Sequence, residues 1–195
     1  MITRLRRGGF ALLAASLLLI LATAAEAPLL TDPADRGAAF WLYLASFALA
    51  AVGYVAAGVL LARGGLIGTS VLGRVGLIGF GVLWFVGQVL YVVGTYVSAS
   101  DAMVAVSTVV VLVGMIGALL GGIEAIRAGV MCGFARWSLL CAVIVSIVAG
   151  GIAGASTDVV VTTVLHIVSA ASLALAGVSF VVTHTERRAV TPARG

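Results

Sequence analysis

Lysine and asparagine are absent from this 195-residue chain, glutamine occurs once, and histidine and cysteine occur twice each. Without lysine there is no Schiff-base anchor for retinal or pyridoxal-type groups and no phosphate-gripping lysine of the Walker kind. The two cysteines, Cys132 and Cys141, form no CxxC pair and lie toward the same reducing side, so a disulfide framework is not expected. His166 and His184 lie 18 residues apart on opposite sides of the membrane inferred below, wrong for two axial ligands to one haem. No HExxH run or histidine cluster offers a tight metal site, and no cofactor is expected. Charged residues make up 9% and hydrophobic residues 63%. That is too little polarity to cover a globular surface, so a soluble domain is excluded. The basic residues form no run interleaved with aromatics, so no nucleic-acid partner is expected.

What the chain has is six apolar stretches, at roughly 10–30, 39–62, 75–97, 102–126, 137–155 and 159–183. A helix needs about 20 such residues to cross a bilayer. The expected fold is therefore all-α, a polytopic transmembrane bundle of six helices in a single domain over residues 1–195. There is no room for a catalytic or ligand-binding domain outside the membrane.

The charges sort by side. Arg4, Arg6, Arg7, Arg63, Arg74, Arg127, Arg136, Arg187, Arg188 and Arg194 fall on one side, against only Glu124 and Glu186. The other side carries Glu26, Asp32, Asp35, Asp101 and Asp158, with Arg36 as its single cation. Short arginine-rich segments stay in the cytoplasm, so both termini are expected there, in the cytoplasmic (inner) membrane of a bacterium. The lipid bilayer is the first partner, with anionic headgroups at the arginine-rich rim.

Residues 1–27 resemble a signal peptide in outline: a basic start, an apolar core and small residues at Ala22–Ala27. The apolar run continues through Leu30, long enough to span, so the segment is expected to be retained as a helix. Trp41, Tyr43, Tyr91, Tyr96 and Trp137 sit near span ends and read as interfacial anchors. Gly58–Gly65 resembles Gly122–Gly129, each followed by a second arginine, Arg74 or Arg136. Related helix pairs would give this likeness, and so would any two membrane hairpins that end in small residues and arginine.

Small residues mark the packing faces. In stretch four Ser107, Gly114, Gly117 and Gly121 recur at helical spacing and end at Glu124, with Gly117 and Gly121 in GxxxG register. The opposite face, with Leu112, Ile116, Leu119 and Ile123, suits lipid or larger neighbours. Stretch five offers Ser138, Ala142, Ser146, Ala149 and Ala153. Stretch six offers Thr162, His166, Ser169, Ser172, Ala176, Ser179 and Thr183. Such stripes serve either the bundle interior or a homo-oligomer contact.

Ionisable and amide groups inside spans are functional candidates by default. Gln88 shares a face with Trp84, Tyr91 and Thr95, and His166 lies at comparable depth. An imidazole and an amide can satisfy each other, so Gln88, Tyr91, Thr95 and His166 form the candidate intramembrane polar site. Glu124 and Arg127 have i,i+3 spacing for an ion pair at the basic rim, and Asp101 and Asp158 sit where they complement helix dipoles. Gly154-Ala155-Ser156 with His166 resembles the serine and histidine of rhomboid-type intramembrane proteases. Thr157 stands where that family has glycine, and no catalytic residue is carried over. The Gly64–Ser70 loop lacks the strand and lysine of a phosphate cradle.

No catalytic constellation emerges, and an enzyme is not expected. The leading expectation is a small multipass protein acting through helix–helix contacts, as an accessory subunit or homo-oligomer with an unknown membrane partner. The alternative is a transporter or channel for a small, weakly polar solute, lined by Gln88, Tyr91, Thr95 and His166.

Overall fold

The computed structural model describes residues 2–31 and 37–189, with side chains from Thr3 to Val182. Asp32, Asp35, Arg36 and Arg194, and the side chains of Thr183, His184, Glu186, Arg187 and Arg188, lie outside the described residues. Six helices follow in order: α1 Ile2–Glu26, α2 Ala38–Arg63, α3 Val71–Val92, α4 Asp101–Ala128, α5 Ala135–Ala155 and α6 Val159–Ala189. α3 continues directly as a π-helical turn, Val93–Val97. All six helices are long and apolar enough to cross a membrane, and the described residues contain no strand. This is the architecture of a multipass membrane protein.

Local chemistry sets the ends. α1 stops at Glu26, not near residue 30, because Pro28 disfavours helical backbone at Ala27. A turn follows, with Leu29 N donating to Glu26 O at 2.8 Å. At its other end α1 begins at Ile2 and takes in the arginine segment. Arginine is a good helix former, and both Gly8 and Gly9 pack against other helices. α3 starts at Val71, four residues earlier than the apolar run, because Ser70 Oγ accepts from Gly73 N at 3.1 Å. Ser100 Oγ accepts from Met103 N and caps α4, while Asp158 Oδ1 accepts from Val160 N and Val161 N and caps α6.

The helices form a closed ring in which α1 packs on α2, α2 on α3, and so on round to α6 on α1. α3 and α6 therefore stand opposite each other, and no Cα of one comes within 8 Å of the other. Close crossings depend on glycine. A Cβ on Gly117 would lie 2.7 Å from Gly76 O, and one on Gly9 would lie 2.9 Å from Gly177 O. Gly121 faces Leu77, Gly114 faces Leu83, and Ser107 is buried. The α4 stripe thus lies on α3 within one chain. In lipid such close backbone approach is a main source of helix association.

The face of α4 opposite the stripe is divided between the two expected surroundings. Leu112 and Ile116 are exposed, but Leu119 packs against the core and Ile123 is half-buried. The cause is α5, which approaches α4 near the basic rim, where Gly122 meets the Leu140 backbone and Arg136 donates to Ile126 O at 2.8 and 3.0 Å. The outward face of α4 is Val106, Val109, Leu112, Val113 and Ile116.

The two basic-side hairpins share more than sequence. Each has a left-handed glycine at the matching position, Gly65 (φ 85°) and Gly129 (φ 61°). Their second arginines bond to different places, Arg74 to Gly68 O in the loop at 3.4 Å and Arg136 to Ile126 O in the last turn of α4.

Candidate functional site

The polar groups of the acidic half gather around a residue the sequence reading placed among the loop acids. Glu26 is the last residue of α1, and its Oε1 accepts hydrogen bonds from Tyr91 Oη at 2.9 Å and Tyr96 Oη at 3.2 Å. Oε2 accepts none among the described residues. Tyr43 of α2 is fully buried, and its hydroxyl is a third one turned toward the same carboxylate, in less regular geometry than those of Tyr91 and Tyr96. Among the described residues the one ion pair is Arg127 Nη1 to Glu124 Oε1 at 2.9 Å, so no described cation neutralises Glu26.

The backbone explains why two tyrosines reach one oxygen. Tyr91 and Tyr96 are five residues apart, which on an α-helix puts them about 140° apart. The π-helical turn Val93–Val97 has i→i+5 spacing and brings them onto one face. Ser98 N donates to Val93 O at 2.9 Å and closes that turn. The rings then pack: Tyr43 to Tyr96 at 5.6 Å, Phe40 to Tyr96 at 5.7 Å, and Tyr43 to Phe47 at 5.1 Å between centroids. Tyr43, Tyr91 and Tyr96 are therefore more than interfacial anchors. A signal for this was present: Glu26 lies within an apolar stretch and has no cation three or four residues away.

The four expected site residues divide. Tyr91 joins Glu26, and Thr95 sits one turn on, beside the Tyr91 hydroxyl. Gln88 is half-buried on the core-facing side of α3, one turn beyond buried Trp84. His166 is across the ring on α6 and is not brought to Gln88. Equal depth fixed the height of the two residues, while the ring order fixed their separation.

His166 shares a face with Ala170, Leu173, Gly177 and Phe180, spaced at i+4, i+7, i+11 and i+14. Those four are buried, yet His166 is exposed. α3 shows the same gradient: Leu77, Phe80 and Trp84 are buried, whereas Gln88, Tyr91 and Thr95 on the same side are half-buried. On both helices burial thus lessens toward the acidic end, although Gly94 and Tyr96 stay buried there. The buried clusters agree. One spans all six helices, while the cluster at the acidic end draws only on α1, the turn after it, α2 and α3.

Elsewhere the polar groups are satisfied locally. Ser146 Oγ donates to Ser169 O at 3.4 Å, and Ser172 Oγ donates to Ala142 O at 3.2 Å, fastening α5 to α6. Ser156 Oγ accepts from Asp158 N at 3.1 Å, a cap interaction remote in role from a nucleophile. Cys132 and Cys141 are both exposed and form no disulfide. An apolar groove of about 670 Å³ between α2 and α3, lined by Val52, Val55, Val59, Val82 and Phe85, lies on the outer surface.

No protein-family model, curated protein or solved structure matches this chain.

Proposed function

We propose that this protein is a transporter or channel of the bacterial inner membrane. Both termini lie in the cytoplasm, and a small, weakly polar solute enters through a vestibule on the opposite side. One observation carries the reading: on one face of α6 Ala170, Leu173, Gly177 and Phe180 are buried while His166 is exposed, and on α3 Leu77, Phe80 and Trp84 are buried while Gln88, Tyr91 and Thr95 are half-buried. Gln88, Tyr91 and Thr95 line one wall and His166 the other. A polar wall inside a span is costly against lipid, and such groups usually face a bundle interior or a water-filled cavity. The arginine-rich rim supports the cytoplasmic placement of the basic end and its contact with anionic headgroups.

The alternative, an accessory subunit or homo-oligomer, drew its support from the small-residue stripes. Internal contacts occupy those stripes on α4 and α5, so a contact with a second chain would use the exposed apolar faces instead. No catalytic role is proposed for Ser156, Glu124 or His166.

Osmotic swelling of proteoliposomes in glycerol, urea and acetamide tests the reading. The protein is expected to speed swelling over empty liposomes for at least one solute, and Gln88→Trp is expected to reverse the gain. Rates equal to empty liposomes for all three solutes would overturn it.

A further inference from the structure

The apolar groove between α2 and α3 runs toward the basic rim and meets two arginines there. On α2, Val52, Val55, Ala56, Val59 and Leu60 line it, and Arg63 follows on the same helical face, eleven residues from Val52. On α3, Val82 and Phe85 line it, and Arg74 lies on the same side, eleven residues from Phe85. α2 ends at Arg63 and α3 begins at Val71, so both arginines stand at one end of the groove. Each is about 16 Å along its helix from Val52 or Phe85. Glycine lets the two backbones cross closely beside the groove. A Cβ on Gly81 would lie 2.8 Å from Tyr54 O, and one on Gly58 would strike Leu77 O.

Every residue lining the groove is apolar, so in a bilayer its occupant is hydrocarbon. The two cations at its end call for an anion. Both are exposed, and the chain itself supplies no counter-charge. Arg74 donates to the neutral Gly68 carbonyl at 3.4 Å. Glu124 packs near Gly73, but its carboxylate is held by Arg127 at 2.9 Å in the one ion pair among the described residues.

We propose that this groove seats one anionic glycerophospholipid, with an acyl chain along Ala56, Val59 and Val82 and the phosphate between Arg63 and Arg74. Such a lipid joins hydrocarbon and anion in one molecule, and a guanidinium grips phosphate oxygens in pairs. A partner's transmembrane helix fits the groove less well. Helices in lipid associate through small residues, and Ala56 is the one small residue in this lining. Other arginines of the rim are engaged: Arg127 with Glu124, Arg136 doubly with Ile126 O, and Arg6 over the Phe10 ring. The seat lies outside the bundle and does not depend on the transport reading.

Native mass spectrometry of the full chain, released from detergent containing phosphatidylglycerol and phosphatidylcholine at equal concentration, reads the seat. One phosphatidylglycerol per chain is expected to be retained ahead of phosphatidylcholine. Arg63→Gln and Arg74→Gln are each expected to weaken phosphatidylglycerol about fivefold and to leave phosphatidylcholine unchanged. Val82→Trp fills the groove from an exposed position and is expected to lose both lipids. Val109→Trp on the outward face of α4 and Arg7→Gln on α1 are expected to change neither. Equal retention of the two lipids by the native chain would overturn the proposal. A loss in Arg7→Gln as large as in Arg63→Gln would also overturn it, because the preference would then belong to the whole rim. So would a Val82→Trp chain that keeps its lipid as Val109→Trp does. Failed swelling with this lipid pattern intact would remove the transport reading and leave the lipid seat.

Discussion

Buried hydroxyls in this bundle differ in what they lose on substitution, and the Ser16–Tyr54 pair shows how. Ser16 Oγ donates its one proton to Leu12 O at 2.8 Å, so Tyr54 is the donor in the 3.1 Å contact between the two hydroxyls. Tyr54 is fully buried and packs on Trp84 at 4.6 Å and Phe80 at 5.8 Å. Tyr54→Phe leaves Ser16 satisfied and should cost under about 1 kcal/mol, in line with interhelical bonds in membranes. Ser16→Ala strands a buried hydroxyl and should cost about 1–2 kcal/mol. Thermal midpoints in one detergent give the comparison, and equal losses would mean that Tyr54 finds another acceptor. At this scale the sequence was least legible. Tyr91 could be singled out from its face, but its partner Glu26 could not, because the pairing depends on a π-helical turn that residue spacing does not announce. The expected Gln88–His166 pair failed for a related reason: hydropathy gives depth along a helix and says nothing about which helices are neighbours.

Helices were far more legible than side chains. Apolar length marked all six spans, and errors at their ends trace to single residues: Pro28, which stops α1, and Ser70, which starts α3 early. The packing face of α4 was readable as well, because small residues at helical spacing have one main use where two backbones meet. Its lipid face was half readable. Leu112 and Ile116 are exposed, but Leu119 meets the core where α5 leans in. A side chain at Gly121 would lie 2.5 Å from Leu77 Cδ2, so the buried Leu77 must shift to admit it, and a leucine there overfills the α3–α4 contact. Gly121→Leu should therefore cost about 1–3 kcal/mol, the usual range for overpacking a filled core. Ile116→Ala, on the outward face, should be nearly silent. Aggregation midpoints of the two variants in the same detergent decide it, and equal values would place the glycine stripe against lipid.

The ring gives the whole molecule two unequal ends. Toward the basic rim, α4 and α5 are drawn together through Gly122 and Arg136, and all six helices share one core. Toward the acidic end, the buried cluster draws on α1, α2 and the end of α3, while Gln88 is half-buried and His166 exposed. A vestibule closed at the cytoplasmic end and wet at the other is the central claim. Thiol labelling tests it most directly. Single cysteines placed as Gln88→Cys, His166→Cys and Leu173→Cys, in a Cys132→Ser, Cys141→Ser background, are exposed to a membrane-impermeant maleimide added outside intact cells. Positions 88 and 166 are predicted to label and position 173, deep in the core, to stay protected. Protection of both 88 and 166, or labelling of them only from the cytoplasmic side, would contradict the account.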